Sequence, residues 1–125
     1  MRQKISEQFS VTDIKEWLTV LDGLRQENIE LKNRLSEAVR QSVSRAFIEE
    51  AELFQQRSID KDQVIDLLRH DIAGLIMKMN FHDVVSDEGL VIFRQASVLQ
   101  SDEQKLVSGF GQMKQSFDQY LSDGL

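Results

Sequence analysis

Two histidine–aspartate pairs, His70–Asp71 in "LLRHDIAGL" and His82–Asp83 in "NFHDVV", contain both histidines of the chain. An imidazole titrates near neutral pH, so it can act as nucleophile or proton carrier, and an adjacent carboxylate can take up the proton that leaves. Two neutral imidazoles and two carboxylates would also suit a divalent transition metal. The pairs stand twelve residues apart, so they converge only if the chain turns sharply near Asn80. Serine is plentiful, yet none sits in the strand-turn-helix setting of a nucleophile elbow, which leaves a Ser-His-Asp triad without support. Cysteine is absent, closing off thiolate metal sites, disulfides and cysteine nucleophiles.

The spacing around His70 predicts a helix over 61–79, with Val64, Ile65, Leu68, Ile72, Leu75, Ile76 and Met79 on one broad apolar face. At helical pitch His70 falls on the opposite side. "LLRHDI" resembles the phosphoacceptor box in the dimerisation and histidine-phosphotransfer helices of sensor kinases. That resemblance implies an exposed His70 as phosphoacceptor, Asp71 assisting proton transfer, and a dimeric four-helix bundle entered through a coiled coil. The chain departs from the pattern at Gly74 and Leu75, where many such boxes carry Asn and Pro, and no glycine-rich nucleotide-binding segment follows in this sequence. The implied protein is a stand-alone phosphotransfer protein. The paired His-Asp residues are also similar to those of helical phosphohydrolases, whose more distant ligands have no counterpart here. Against both stands the plain reading of His70 as a polar residue on a polar face, flanked by solvated Arg69 and Asp71. Leu67, Ala73, Gly74 and Met77 share that face and could let another helix approach. The expectation is no catalytic residue, no metal and no cofactor, with His70 and Asp71 kept as a possible phosphoacceptor pair.

The elements that would carry these residues are helical. The chain has no proline, and its charged residues amount to 29% with 7% aromatics, a composition suited to long helices. Ser10 caps a helix with Asp13 in its first turn. From there Ile14, Leu21, Asn28, Leu35 and Ser42 occupy heptad position a, and Trp17, Leu24, Leu31, Ala38 and Arg45 position d. The alternation of threes and fours is unbroken from 14 to 38, with seven of those eight positions apolar. Asn28 at a is satisfied when it meets its counterpart across a parallel two-stranded seam, and Glu27 at g stands at the right spacing to pair with Lys32 at the next e of a second chain. "ENIELKNRL" thus resembles a leucine-zipper seam, although no basic region precedes it to contact DNA. Beyond Ala38 the seam moves to Val39, Val43, Phe47, Ala51 and Phe54, as after a stutter, so the helix is expected to run from 12 to 57. Parallel self-association is the favoured reading. The alternatives are an arm folded back on its own chain and an arm paired with a different coiled-coil protein.

The rest reads as short capped helices. Asp60 with Gln63, stapled by Ile59 and Val64, starts the helix at 61, and Asn80 ends it. Ser86 starts another, stapled by Val85 and Leu90, that runs to about residue 100; "GLVIF" has strand-like character but no strand to pair with. Ser101 with Gln104 starts a third, whose Leu106, Phe110, Met113, Phe117 and Tyr120 form a packing seam. Gly109 and Gly111 inside it call for a close helix approach or a kink.

The net charge of −6 argues against nucleic-acid binding, since neutralising phosphates needs a basic surface. No stretch approaches the length of a membrane span, and "MRQKISEQFS" lacks the apolar run of a signal peptide. The sequence therefore leads to an all-α protein with an N-terminal coiled-coil arm, residues 1–57, and a C-terminal three-helix region, residues 58–125, that forms a small bundle. It is expected to be a cytoplasmic homodimer, assembled through Ile14, Trp17, Leu21, Leu24, Asn28, Leu31, Leu35 and Ala38. Its expected function is that of a non-enzymatic scaffold or adaptor presenting acidic helical surface to protein partners.

Overall fold

Residues 9–81 and 86–124 are described by a computed structural model. They form three helices, α1 (Val11–Gln41), α2 (Arg45–Phe81) and α3 (Ser86–Gly124), with no strand among the described residues. Each helix packs on the other two in a helical bundle. Asp22, Arg25 and Lys32 of α1 pair in that order with Arg69, Asp66 and Asp62, so α2 runs antiparallel to α1. Glu27 and Arg34 pair with Lys114 and Asp118, so α3 runs parallel to α1. None of the helices described is long and apolar enough to cross a membrane.

Helix α1 begins as its sequence dictates. The Ser10 hydroxyl accepts from the Asp13 amide at 3.1 Å and the Asp13 carboxylate accepts from the Ser10 amide at 3.2 Å, a reciprocal capping box that satisfies two otherwise orphaned donors. Its buried residues are Ile14, Trp17, Leu21, Leu24, Asn28, Leu31, Leu35 and Ala38, the whole a/d stripe. They are buried against α2 and α3 of the same chain, so the arm is folded back.

The unbroken helix expected over 12–57 is corrected: the chain turns at Ser42–Val43–Ser44. The two serines supply what glycine or proline usually would. The Ser42 hydroxyl accepts from the Ser44 amide at 3.1 Å, and the Ser44 hydroxyl caps α2 by accepting from the Phe47 amide at 3.2 Å. Serine hydroxyls compete with helical hydrogen bonds in this way. The break expected near residue 60 is corrected as well, because α2 passes through it and on to Phe81. Asp60 takes a hydrogen bond from Gln56 one turn away instead of capping, and Ile59 and Val64 are partly exposed, not stapled. Likewise α3 runs through Ser101, where Ala96, Leu99 and Leu106 form one buried face, and "GLVIF" is helical. Val85, and with it the staple to Leu90, lies outside the described residues.

Phe110, Phe117, Ile14, Leu21, Ile65 and Ile72 are the largest fully buried apolar side chains. Each contributes about 1.5–3 kcal/mol relative to exposure. Aromatic residues close both ends. Near the turn, Phe47 stacks on Tyr120 at 4.5 Å, Phe54 packs edge-on against Phe117 at 5.4 Å, and the Tyr120 hydroxyl donates to the Phe47 carbonyl at 2.6 Å. Burial there pushes the Tyr120 phenol up. At the opposite end Phe9 contacts Trp17 and Phe93.

A candidate protein-interaction groove

Each pair of helices meets along a seam, and the seams differ in chemistry. Between α1 and α2, Asn28 is completely buried. Its amide nitrogen donates to the Ser58 carbonyl and to Asp62 Oδ1, both at 2.8 Å, and its oxygen accepts from the Ser58 hydroxyl at 2.7 Å. Lys32 Nζ donates to Asp62 Oδ2 at 2.6 Å. Burial pushes the Asp62 carboxyl up, but the hydrogen bonds from Lys32 and Asn28, with the charges of Lys32 and Arg25, outweigh it and hold the carboxyl below its ordinary value. Arg25–Asp66 and Asp22–Arg69 extend this polar seam. Here Asn28 finds its partners inside the chain, and Glu27 and Lys32, expected to bridge two chains, pair internally with Lys114 and Asp62.

The seam between α2 and α3 is of another kind. Its outer side opens into a groove of about 530 Å³ with buried Leu75 and Leu99 among its lining residues. His70, Asp71, Gly74 and Lys78 line it from α2, and Arg94, Gln95 and Val98 from α3. Lys78 Nζ donates to Gln95 Oε1 at 3.2 Å. A Cβ added at Gly74 would meet nothing within 4 Å, so the glycine leaves open space. Val98 is 58% exposed, as is Leu67 at 61%, one turn before Asp71 on the same face of α2. Both apolar residues are thus left to water along this side of the bundle.

His70 and Asp71 are exposed on α2, with Leu68, Ile72 and Leu75 buried on the opposite side, as the wheel requires. They line the same groove as two cations, Lys78 and Arg94, on the surface of an acidic protein. His82 and Asp83 lie outside the described residues. Among the described residues, no three of His, Cys, Asp and Glu gather as a metal site.

No known relative informs these features. No protein family matches the chain, and no curated protein or solved structure does either. Two residues that matter escaped the sequence reading. Ser58, fully buried beside Asn28, sat in a stretch taken for a helix start. Glu103, 7% exposed on α3, lies in the "SDEQKL" stretch where Ser101 and Gln104 predict a helix start. Its spacing from Leu99, Leu106 and Phe110 was the available signal. Burial pushes its carboxyl up, with no hydrogen-bond partner among the described residues.

Proposed function

We propose that this protein is a non-enzymatic scaffold or adaptor that mediates protein–protein interaction, using the α2–α3 groove to hold an apolar segment of a partner. The supporting observation is the groove itself: a floor containing Leu75 and Leu99, exposed Val98 within it, Leu67 just beyond, and polar residues at the rim. A helix laying its apolar face into such a groove buries surface the bundle leaves wet. Gly74 provides the test, because a Cβ there meets nothing within 4 Å and a longer side chain would extend from a residue that lines the groove. Gly74→Arg is expected to keep or raise the melting temperature while abolishing retention of a protein captured by the wild type from native lysate. Equal capture by both would count against the groove.

A second reading is favoured by one observation, the exposed His70 sharing the groove with Lys78 and Arg94. In histidine phosphotransfer, an imidazole nitrogen would take a phosphoryl group from a donor, whose leaving group departs, while the cations offset the added charge and Asp71 assists proton transfer. Incubation with a small phosphoramidate and intact-mass measurement decides it. An acid-labile gain of about 80 Da, one phosphoryl group, that is lost in His70→Gln supports phosphotransfer, and no gain removes it.

A further inference from the structure

We propose that two copies of this chain associate by exchanging α1, with the turn at Ser42–Val43–Ser44 straightening so that α1 and α2 become one helix. The inference deepens the scaffold reading, on which its consequence rests, but its geometry stands on the turn alone. Val43 is fully exposed, with 101% relative accessibility, an unusual fate for a valine between two core helices. It stands at N′ of the Ser44-capped helix with Ile48 at N4, the positions of a hydrophobic staple, yet full exposure means that no staple forms. Phe47, four residues after it, belongs to the core, and Val39, four residues before it, is partly buried against that core. In a continuous helix all three would share one face. The turn also contains neither glycine nor proline, so nothing in its composition forbids a helix.

Register makes the exchange specific. Asp22 faces Arg69, Arg25 faces Asp66, and Asn28 faces Asp62 across the antiparallel α1–α2 seam. Two straight helices that keep this register between chains have their two-fold axis close to residue 45 (roughly, for an isologous pair). Val43 of one copy then lies opposite Phe47 of the other, and Val39 opposite Ala51, continuing the buried stripe across the axis. Asn28 meets Ser58 and Asp62 of the partner subunit with the same hydrogen bonds. In the closed chain the same region holds an open groove of about 400 Å³ between Leu35 and Val39 of α1 and Ile48 and Ala51 of α2. Exchange recreates every α1 contact between chains, adds helix at the turn and buries Val43. It gives up the independent motion of two monomers and must pass through an opened bundle. The dimer is therefore concentration-dependent, slow to form, and carries two α2–α3 grooves on one particle.

The chain has no cysteine, so engineered thiols report cleanly. Arg25→Cys and Asp66→Cys chains, mixed at high concentration and treated with a short bis-maleimide, are expected to give a covalent 25-to-66 dimer, located by peptide mapping. Val43→Pro is expected to reduce that product at least tenfold. Proline forbids the continuous helix but suits the turn: Ser42 already has the extended conformation, φ −100 and ψ 143, that precedes proline, and Val43 donates no backbone hydrogen bond among the described residues. Should Val43→Pro lose helicity, a Gly-Ser-Gly-Ser insertion after Val43 makes the same test with a relaxed turn. Ser42→Ala/Ser44→Ala, which removes both hydroxyl acceptors, is expected to lower the dimer dissociation constant about tenfold. A dimer by light scattering without the 25-to-66 product overturns the exchange while leaving self-association intact. A monomer from micromolar to millimolar concentration overturns both, and the Gly74→Arg comparison then judges the groove separately.

Discussion

The two seams made by α2 are opposites. Toward α1 it is laced with Asn28, Ser58, Asp62, Lys32 and two further ion pairs, so each polar group meets specific counterparts. Toward α3 it is apolar inside and open outside, with the Lys78–Gln95 hydrogen bond at the groove. A polar seam fixes register, because a slip strands buried donors and acceptors. An apolar seam tolerates a newcomer, because dispersion and burial are indifferent to which chain supplies them. One helix thus serves as both a registered joint and an unfilled surface.

Substitutions that erase this contrast should have graded effects. The largest is expected from Asn28→Ala, which leaves the Ser58 hydroxyl and part of Asp62 without their partner: a loss of about 2–3 kcal/mol in chemical denaturation, against near neutrality for Val98→Ala in the groove. Acidification separates the seams next. Because the folded Asp62 carboxyl titrates below its ordinary value of 3.8, its contribution is full above that value and fades as pH falls through the folded one. Asp62→Asn should be less stable than wild type at neutral pH, the gap closing below about pH 4, as read from denaturation midpoints across pH.

Glu103 sharpens the point from the other side. Its carboxyl titrates above its ordinary value of 4.5, so wild type loses stability as pH rises from that value through the folded one. Glu103→Gln should accordingly be the more stable protein at pH 7, with the advantage vanishing on acidification. A buried carboxylate strengthens this bundle only where a partner meets it. The smallest effect is expected at Gly74 and Gly111, where a Cβ has open space. Alanine at either should raise stability by about 0.5–1 kcal/mol, in thermal melts. A loss at Gly74 would mean the groove is narrower than described.

Much of the fold was legible because α1 advertises its buried face. Ile14 to Ala38 follow the heptad without a lapse, and burial follows them residue by residue. The pattern could not say which chain supplies the opposing surface, since a stripe of leucines fits any matching face. Asn28 looked decisive, but an asparagine is satisfied as well by a serine and an aspartate as by its own copy. The turn at 42–44 was hidden because the apolar spacing runs straight through it. Conversely, Asp60 and Ser101 marked starts that never happened: local capping grammar shows where a helix could begin, whereas Phe54, Ser58 and Ile65, or Leu99, Glu103 and Leu106, show a face already in progress. For the groove, Leu67, Gly74 and the exposed His70 were visible as anomalies on a polar face. Arg94 and Val98 were not, because their place opposite depends on where α3 returns.

The aromatic clusters at the two ends have an optical consequence. The chain holds one tryptophan and one tyrosine. Trp17 sits against Phe9, which also touches Phe93 near the start of α3, whereas Tyr120 sits against Phe47 at the turn. From residue 93 to 120 along α3 the separation is about 40 Å at helical rise. Indole emission therefore watches one pole of the bundle and phenol absorbance the other, both native and spectrally distinct. Unfolding curves that superimpose describe a molecule that melts as one. Curves that part company identify the pole where the bundle opens first.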